Sequence, residues 1–175
     1  MHAEAEQKRV SLTDTKIVRG YTPGAIGRIA ELHGTYYHRH WHFGLFFEAK
    51  VATELSEFLG RYDEKRDGFW TVSLGGRVEG AIAIDGIHAD DPGAHLRWFI
   101  VSDTLRGKGF GNRLIRLAIE FCRHSGYKRV YLSTFEGLEA SRHLYEKTGF
   151  KIVDQHKGTQ WGTEVNEQRL ELRLE

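Results

Sequence analysis

The chain has 175 residues, enough for one domain that buries roughly 70% of the surface of its unfolded chain. It carries 25 Lys and Arg against 24 Asp and Glu and has no basic block, which argues against nucleic acid or an anionic membrane as a partner. No apolar run reaches the length of a membrane-spanning helix, and residues 1–16 lack the order of a signal peptide. Cys122 is the only cysteine and has no disulfide partner, so we expect a cytoplasmic protein.

The predicted elements begin after a polar segment. Residues 1–16 show no hydrophobic periodicity, so we expect a flexible tail there, followed by a single domain over residues 17–175. Ile17 to Tyr21 predicts a first strand. Thr22 and Pro23 then provide an N-cap and a first helical residue for a helix that runs to about residue 38.

Apolar spacing predicts the elements that follow. Two glycines at positions 75 and 76 form the turn of a β-hairpin, and an apolar stripe after residue 112 indicates an amphipathic helix. In chain order, the remaining elements are a helix over 45–62, strands over 69–74, 78–85 and 96–101, the amphipathic helix, a strand over 128–134, a helix over 139–147, and strands over 150–153 and 170–174.

The segment over residues 102–112 joins a predicted strand to the amphipathic helix and is rich in glycine and basic residues. The unpaired N–H groups and the positive dipole end of a helix N-terminus favour an anion. Glycines let the backbone approach such a ligand closely, and Arg106 adds positive charge. The spacing matches neither a Walker A loop nor the G-x-G-x-x-G dinucleotide fingerprint, so we interpret the segment as a phosphate-binding turn of another kind.

Four of the ten histidines lie in or beside an aromatic-rich stretch, at His33, His38, His40 and His42. Imidazole is a common ligand of transition metals, but no cysteine or suitably spaced acidic residue completes a ligand set. Alternating histidines on an extended chain also point in different directions. We therefore expect no metal site, and instead an aromatic-rich loop over residues 36–44 that lines a pocket.

Two motifs resemble signatures of the GCN5-related N-acetyltransferases, the GNAT family. The pattern R-x-x-G-x-G at residues 106–111 resembles the acetyl-coenzyme A (acetyl-CoA) loop of that family, and LYEKTGF at residues 144–150 resembles a frequent ending of its strand-helix unit. The predicted order, β-α-α-β-β-β-α-β-α-β-β, extends the resemblance over residues 17–174. It implies an α+β fold with three α/β/α layers and a mixed, mostly antiparallel sheet that splays between its fourth and fifth strands.

The resemblance also implies which residues bind acetyl-CoA, the co-substrate. Its pantetheine arm would pair with the open edge of the fourth strand, and its pyrophosphate would bind the glycine-rich turn. At the position of Leu138, many members of the family have an asparagine that contacts pantetheine. The implied cofactor-binding residues are Phe99, Ile100, Val101, Arg106, Gly107, Lys108, Gly109, Phe110, Gly111, Asn112 and Ser141.

Tyr145 matches the general acid of the family. A phenol with a pKa near 10 is protonated at neutral pH and can protonate a leaving thiolate, whose thiol has a pKa of about 8.5. The structural alternative is that Tyr145 only packs beside Leu144. Helices one and two usually border the acceptor pocket in the family, which makes His42 and Glu48 candidate substrate-binding residues. The general base stays open, because a water chain could carry the proton and no spacing selects one among His42, Glu48, His95, Asp103 and Glu136.

Three functions are compatible with these features. The first is acetylation of a primary amine on a small molecule or protein by direct attack on acetyl-CoA. The second is a non-catalytic acyl-CoA sensor, and the third is an interaction module that uses its aromatic segment, for instance as a homodimer. Residues 41–49 resemble acetyltransferase domains fused behind MarR-type regulators, although the short segment before residue 17 leads us to expect no regulator domain.

Overall fold

The computed structural model describes residues 11–175, so most of the predicted tail lies outside the described residues. In that range it forms four α-helices and seven strands, in the predicted order. The helices are α1 (Ala25–Trp41), α2 (Leu45–Gly60), α3 (Phe110–His124) and α4 (Glu139–Thr148). The strands are β1 (Thr15–Arg19), β2 (Gly68–Leu74), β3 (Arg77–Asp85), β4 (Ala94–Val101), β5 (Arg129–Phe135), β6 (Lys151–Gly158) and β7 (Val165–Arg173).

The strands form one mixed sheet in the order β1-β2-β3-β4-β5-β7-β6. All neighbours are antiparallel except β4 and β5, which are parallel. These two strands pair only where Ala94 meets Val130 and His95 meets Tyr131. Beyond that point β4 pairs only with β3, and β5 pairs only with β7. The predicted splay between the fourth and fifth strands is therefore confirmed.

Each face of the sheet carries two helices, which confirms the three-layer α+β fold. Helices α1 and α2 cover one face, and α3 and α4 cover the other. The alternating residues of β3 show how one strand serves both layers, because Ala81 and Ala83 face α1 and α2 while Ile82 and Ile84 face α3. The largest fully buried side chains are Phe43, Phe58, Phe69, Phe150, Ile29, Leu55, Ile82, Ile84, Leu105, Leu114, Leu132 and Leu170.

The N-terminal boundaries differ from those that the sequence predicts. A single 3-10 turn occupies Leu12–Asp14, and β1 starts at Thr15, two residues earlier than expected, because Thr15 already pairs with β2. Residues 12–16 therefore belong to the fold. Helix α1 starts at Ala25 rather than at Pro23, after Gly24 in a left-handed conformation with φ of 87°.

The prediction that residues 36–44 form a loop was wrong, although Tyr36 and Tyr37 of this stretch do line cavities. Residues 36–41 form the last turns of α1, and only residues 42–44 separate α1 from α2. A helix places every third or fourth side chain on one face, so Tyr37 turns inward while residues 38–40 are exposed. Its ring packs against Phe43, Phe47 and Phe135, with centroids 4.9 to 5.9 Å away. The segment closes the core beneath α1 and α2.

A β-bulge interrupts the regular alternation predicted for β4. Ala81 of β3 is opposite Ile100 and Ala83 is opposite Arg97, so two residues of β4 stand against one of β3. Trp98 has a φ of 46° at this point. Leu96 packs on the α3 side of the sheet, whereas Trp98 packs on the opposite side against α2. The bulge lies at the point where β4 borders the gap to β5.

Candidate active site

Two cavities open into the gap between β4 and β5. One, of about 470 Å³, runs along the end of β4 and the glycine-rich turn toward α4, and we call it the cofactor groove. The other, of about 310 Å³, lies between α2, β4, β5 and the loop before β7, and we call it the acceptor cavity. Tyr37, Phe99 and Ser141 line both cavities. A molecule that fills the groove can therefore present one end to the contents of the cavity.

The separated strands leave polar backbone groups facing this gap. Residues 96–101 of β4 have no β5 partner, although their other edge pairs with β3. An extended chain of amide groups, such as the pantetheine arm of acetyl-CoA, can satisfy such an edge as an added strand would. Phe99, Ile100 and Val101, which the resemblance implies as cofactor-binding residues, line the groove.

The glycine-rich turn presents a set of free backbone donors. Gly107 and Gly109 have φ values of 74° and 86°, in the left-handed region that favours glycine. No backbone carbonyl in residues 11–175 accepts a hydrogen bond from the N–H groups of Gly107, Gly109, Phe110, Gly111 or Asn112. Four of these donors lie at the N-terminus of α3, where the helix dipole adds positive potential. The turn therefore fits a pyrophosphate.

The basic side chains of the turn have different positions. Arg106 lines the groove, donates to Oδ1 of Asp103 at 2.7 Å and to the carbonyl of Val101 at 3.2 Å, and stacks over the ring of Tyr36. Lys108 instead donates back to the carbonyl of Thr104. Phe110 is buried in the core beneath α3. The side chains of Lys108 and Phe110 thus lie outside the groove, and only their backbone groups remain as candidate ligands.

Tyr145 lies on α4 at the edge of the acceptor cavity. Its side chain is 7% exposed, and its ring packs against Phe99 and Phe150 with centroids 6.1 and 5.8 Å away. Burial raises the pKa of the phenol well above 10, so the hydroxyl is protonated at neutral pH. Ser141, one helical turn earlier, lines both cavities. Leu138, which stands where many family members have an asparagine that contacts pantetheine, lines the acceptor cavity.

The acceptor cavity combines an aromatic wall with a small charged cluster. The cluster consists of Lys50 and Glu54 on α2 and Arg97 on β4. Lys50 donates to Oε1 of Glu54 at 2.7 Å, and Arg97 donates to Oε2 of the same carboxylate at 2.5 Å. The guanidinium of Arg97 also lies 4.1 Å from the ring centroid of Trp98. The aromatic lining is Tyr37, Phe47, Trp98, Phe99, Phe135, Tyr145 and Trp161.

Two neutral histidines complete the lining. Nδ1 of His33 lies 2.8 Å from the carbonyl of Ile29, and because a carbonyl only accepts, Nδ1 carries the proton. Burial lowers the pKa of His33 to about 4. The ring of His95 stacks on Tyr131, and burial together with nearby Arg97 lowers its pKa to about 3. Neither imidazole is charged at neutral pH.

The structure does not bring the two predicted substrate residues to this cavity. His42 is the exposed C-cap of α1, in a left-handed conformation, and Glu48 faces solvent on α2 beside Gly34. Of the other candidate bases, Asp103 pairs with Arg106 and Arg39. Glu136 is exposed and accepts from Asn166. His95 alone among the five lines the acceptor cavity.

Sequence reasoning missed the charged cluster and the tyrosine that borders both cavities. Lys50, Glu54 and Arg97 match no motif, and solvent-facing helix charges have the same spacing as Lys50 and Glu54. Tyr37 was recognised only as part of an aromatic stretch. In residues 11–175 no group of three or more His, Cys, Asp and Glu side chains is arranged to hold a metal ion. None of the helices in that range is long and apolar enough to cross a membrane.

Known proteins match both the sequence and the fold. YjgM, an N-acetyltransferase of Escherichia coli K12, is 31% identical over 101 residues, which are 57% of this chain and 60% of that protein. N-acetyltransferase family 8 member 2 of Rattus norvegicus is 30% identical over 104 residues, 58% of this chain and 46% of the relative. The chain therefore spans only about half the length of the curated relatives it matches.

Solved acetyltransferase structures share the fold at low sequence identity. A Streptococcus agalactiae acetyltransferase superposes with a TM-score of 0.71 at 21% identity, over 92% of this chain and 99% of that one. A GNAT acetyltransferase of Elizabethkingia anophelis with acetyl-CoA bound gives 0.63 at 14% identity, over 92% and 99% of the two chains. The sequence model of the acetyltransferase (GNAT) family matches residues 28–150. This protein therefore belongs to the GNAT acetyltransferase family.

Proposed function

We propose that the protein is an acetyl-CoA-dependent N-acetyltransferase that acetylates a primary amine of a small molecule or protein. One observation carries this proposal: the groove lined by free backbone donors meets a second cavity at Phe99, directly beside the protonated phenol of Tyr145. Family membership supports acyl transfer, and the acetyl-CoA bound to a protein of the same fold supports the choice of donor.

In the proposed reaction the amine nitrogen attacks the thioester carbonyl directly. A C–N bond forms, the C–S bond breaks, and the phenol of Tyr145 protonates the departing thiolate. The free N–H groups of the turn and Arg106 hold the pyrophosphate, while the open edge of β4 orients the pantetheine arm. The nitrogen of the adduct releases its extra proton to water and the tyrosinate regains one from water, so the products are the amide and the free thiol.

The amine must arrive without its extra proton. His33 and His95 have pKa values of about 4 and 3, too low for a strong base at neutral pH. The positive charges of Lys50 and Arg97 in the cavity instead disfavour an ammonium group, which lowers the pKa of a bound amine. We infer that the amine loses its proton to water, and that no side chain of the cavity serves as the principal base.

Several finer predictions from the sequence remain part of this proposal. A cytoplasmic location rests on the single, buried Cys122. A homodimer gains support from the exposed side chains of Leu45 and Phe46 at the start of α2, which are 81% and 60% exposed. The likeness of residues 41–49 to domains fused with MarR-type regulators stays a prediction. A non-catalytic acyl-CoA sensor is the alternative, and the following experiment distinguishes it from the enzyme.

The test is calorimetric titration with acetyl-CoA, followed by thiol release in the presence of a panel of primary amines. Gly111 has space for a Cβ, 3.5 Å from Leu144, and it lines the groove, so Gly111→Trp should fill the groove and abolish binding. Gly27→Trp, at an exposed helical position with open space, is the matched control and should bind normally. Binding without turnover of any amine would favour the sensor, and no binding by folded wild type would refute the proposal.

A further inference from the structure

We propose that the acceptor is an amino acid with a free carboxylate and an apolar or aromatic side chain, which deepens the proposed function and rests on it. The amine would lie near Tyr145, the carboxylate near Lys50 and Arg97, and the side chain against the aromatic wall. The cavity chemistry that supports this assignment has three parts: an excess of positive charge, aromatic walls, and the placement of the charges relative to the phenol.

The excess charge follows from the ion pairs of the cavity. The lining holds two cations, Lys50 and Arg97, but one carboxylate, Glu54, which already accepts from both of them. Oδ2 of Asp85 lies 3.8 Å from Nη1 of Arg97. Asp85 pairs more closely with Arg61, whose two Nη atoms donate to its two carboxylate oxygens at 3.0 and 2.5 Å. Each of these three cations has a carboxylate neighbour, but they share only two carboxylates, so the described cluster carries a net positive charge.

A small carboxylate is the anion that this arrangement fits. The side chains of Lys50 and Arg97 are 30% and 20% exposed, so their charges are only partly screened by water. The Lys50 ammonium has three N–H donors and the Arg97 guanidinium has five. Glu54 accepts one hydrogen bond from each group. The remaining donors can bind an incoming carboxylate with charge-assisted hydrogen bonds. A polyamine would instead meet two cations and no available carboxylate.

The aromatic wall provides room for an apolar side chain. Phe135 packs at its centre, with ring centroids of Tyr37 and Trp161 at 5.9 and 5.6 Å. These rings line the acceptor cavity together with Tyr145. Burial of an apolar side chain against such rings is favourable in proportion to the area removed from water. Acceptors with a hydrocarbon or aromatic side chain should therefore bind more tightly than glycine.

The positions of Arg97 and Phe99 along β4 allow one small molecule to reach both the charged cluster and the phenol of Tyr145. Phe99 stands beside Tyr145, and Arg97 is two residues earlier on the same strand, at most roughly 7 Å away between Cα atoms because the bulge at Trp98 shortens the backbone. The flexible side chains of Arg97 and Lys50 shorten that span. The amine and the carboxylate of one amino acid can thus be bound at the same time, whereas a peptide N-terminus has no adjacent carboxylate to offer.

The experiment compares matched acceptors in a thiol-release assay with acetyl-CoA. Leucine, methionine, phenylalanine and tryptophan are each tested against their amides and their decarboxylated amines. We expect at least one of these amino acids to have a kcat/KM about tenfold or more above that of its amide, because one charge-assisted interaction is lost in the amide. If the amides or decarboxylated amines are equally good or better throughout, the inference is wrong while the proposed function stands.

A pair of variants tests the role of the Lys50 charge. Lys50→Gln should raise KM for the preferred amino acid about tenfold and leave KM for its amide unchanged. Lys65→Gln, at an exposed position outside both cavities, removes the same charge and should change neither value. Thermal melts and acetyl-CoA affinity establish that both variants fold. Equal effects of Lys50→Gln on the amino acid and its amide would overturn the assignment.

A binding experiment separates this inference from failure of the proposed function. If no amine is acetylated, calorimetry compares N-acetylphenylalanine and N-acetylleucine with their amides on the acetyl-CoA-free protein. Binding of at least one free acid about tenfold tighter than its amide, weakened by Lys50→Gln, supports the carboxylate site even without turnover. Equal binding, or no binding of either form, refutes it.

Discussion

The rings of Phe99 and Tyr145 lie 6.1 Å apart between centroids, inclined by 56°, where the cofactor groove meets the acceptor cavity. The bulge in β4 creates this contact, because it sends Trp98 to the opposite face of the sheet and leaves Phe99 on the α4 side. A phenol in this position faces the acceptor cavity and is kept protonated by burial. This relationship leads to the first prediction.

Replacing Tyr145 by Phe should reduce kcat by about 100-fold or more, because general acid catalysis contributes a factor of that order. The affinity for acetyl-CoA should stay the same, since Tyr145 lines the acceptor cavity and not the cofactor groove. Thiol-release kinetics and calorimetry measure the two quantities. Tyr21→Phe, at an exposed position, serves as the control. An unchanged kcat with a good acceptor would remove Tyr145 from the mechanism.

Replacing Gly109 by Ala should destabilise the protein by roughly 1–2 kcal/mol and weaken acetyl-CoA binding. A Cβ at this position meets nothing within 4 Å, so the cost comes from the φ of 86°, which an L-residue rarely adopts. Gly27→Ala, at an exposed helical position, should instead stabilise the fold by about 0.5–1 kcal/mol. Urea unfolding measures both signs. Equal effects of the two substitutions would argue against strain at Gly109.

Replacing Arg106 by Ala should raise the Kd for acetyl-CoA about tenfold, because the lost hydrogen bonds to phosphate are charge-assisted. The difference should shrink at high salt, since the Arg106 side chain is 45% exposed and salt screens its charge. Arg116→Ala is the charge-matched control, because Arg116 is exposed on α3 and lies outside both cavities. An affinity that is unchanged by Arg106→Ala at low salt would place the phosphates elsewhere.

The protein should lose stability as the pH falls from 6.5 toward 4. The pKa of His33 is lowered from 6.5 to about 4, so the unfolded state binds a proton in this range and the folded state does not. The stability that the neutral His33 contributes is therefore fully present above pH 6.5 and is lost as the pH falls toward 4. At pH 5 His33 alone should cost about 2 kcal/mol. His95, with a pKa of about 3, adds to the same trend.

Urea unfolding at pH 7 and pH 5 measures this dependence. His33→Phe keeps a ring at the buried site but cannot bind a proton, so it should remove the share of the pH dependence that His33 contributes. The unfolding free energy of wild type should be lower at pH 5 than at pH 7. Identical values at the two pH values would show that neither histidine is held neutral by the fold.

Much of the fold could be predicted from local patterns in the sequence. Period-2 and helical spacing gave the order of the four helices and seven strands of residues 11–175, because such spacing depends on neighbours along the chain. The glycine-rich turn was also recognisable, since left-handed residues such as Gly107 and Gly109 leave a mark on composition. The aromatic stretch was misassigned because histidine and aromatic residues have weak local preferences.

Only the part of the candidate site that belongs to contiguous motifs could be predicted from the sequence. Tyr145 and the turn belong to contiguous motifs, and the structure gathers them along the gap beside β4. His42 and Glu48 were selected because the region from helix one to helix two usually borders the acceptor pocket. His42 is instead the exposed C-cap of α1, and helical rotation turns Glu48 toward solvent. Glu54, six residues after Glu48, reaches the cavity instead, and no sequence period distinguishes the two.

The sequence by itself determined the order of the secondary-structure elements, the glycine-rich turn and the placement of Tyr145 on the helix that follows β5, because these depend on residues close together in the chain. Only the tertiary structure decided the chemistry of the acceptor cavity. Arg97 meets Glu54 across 43 residues of chain, and the bulge at Trp98 depends on pairing with β3. Such contacts form between elements already folded, so their energies are set by packing and burial rather than by local sequence.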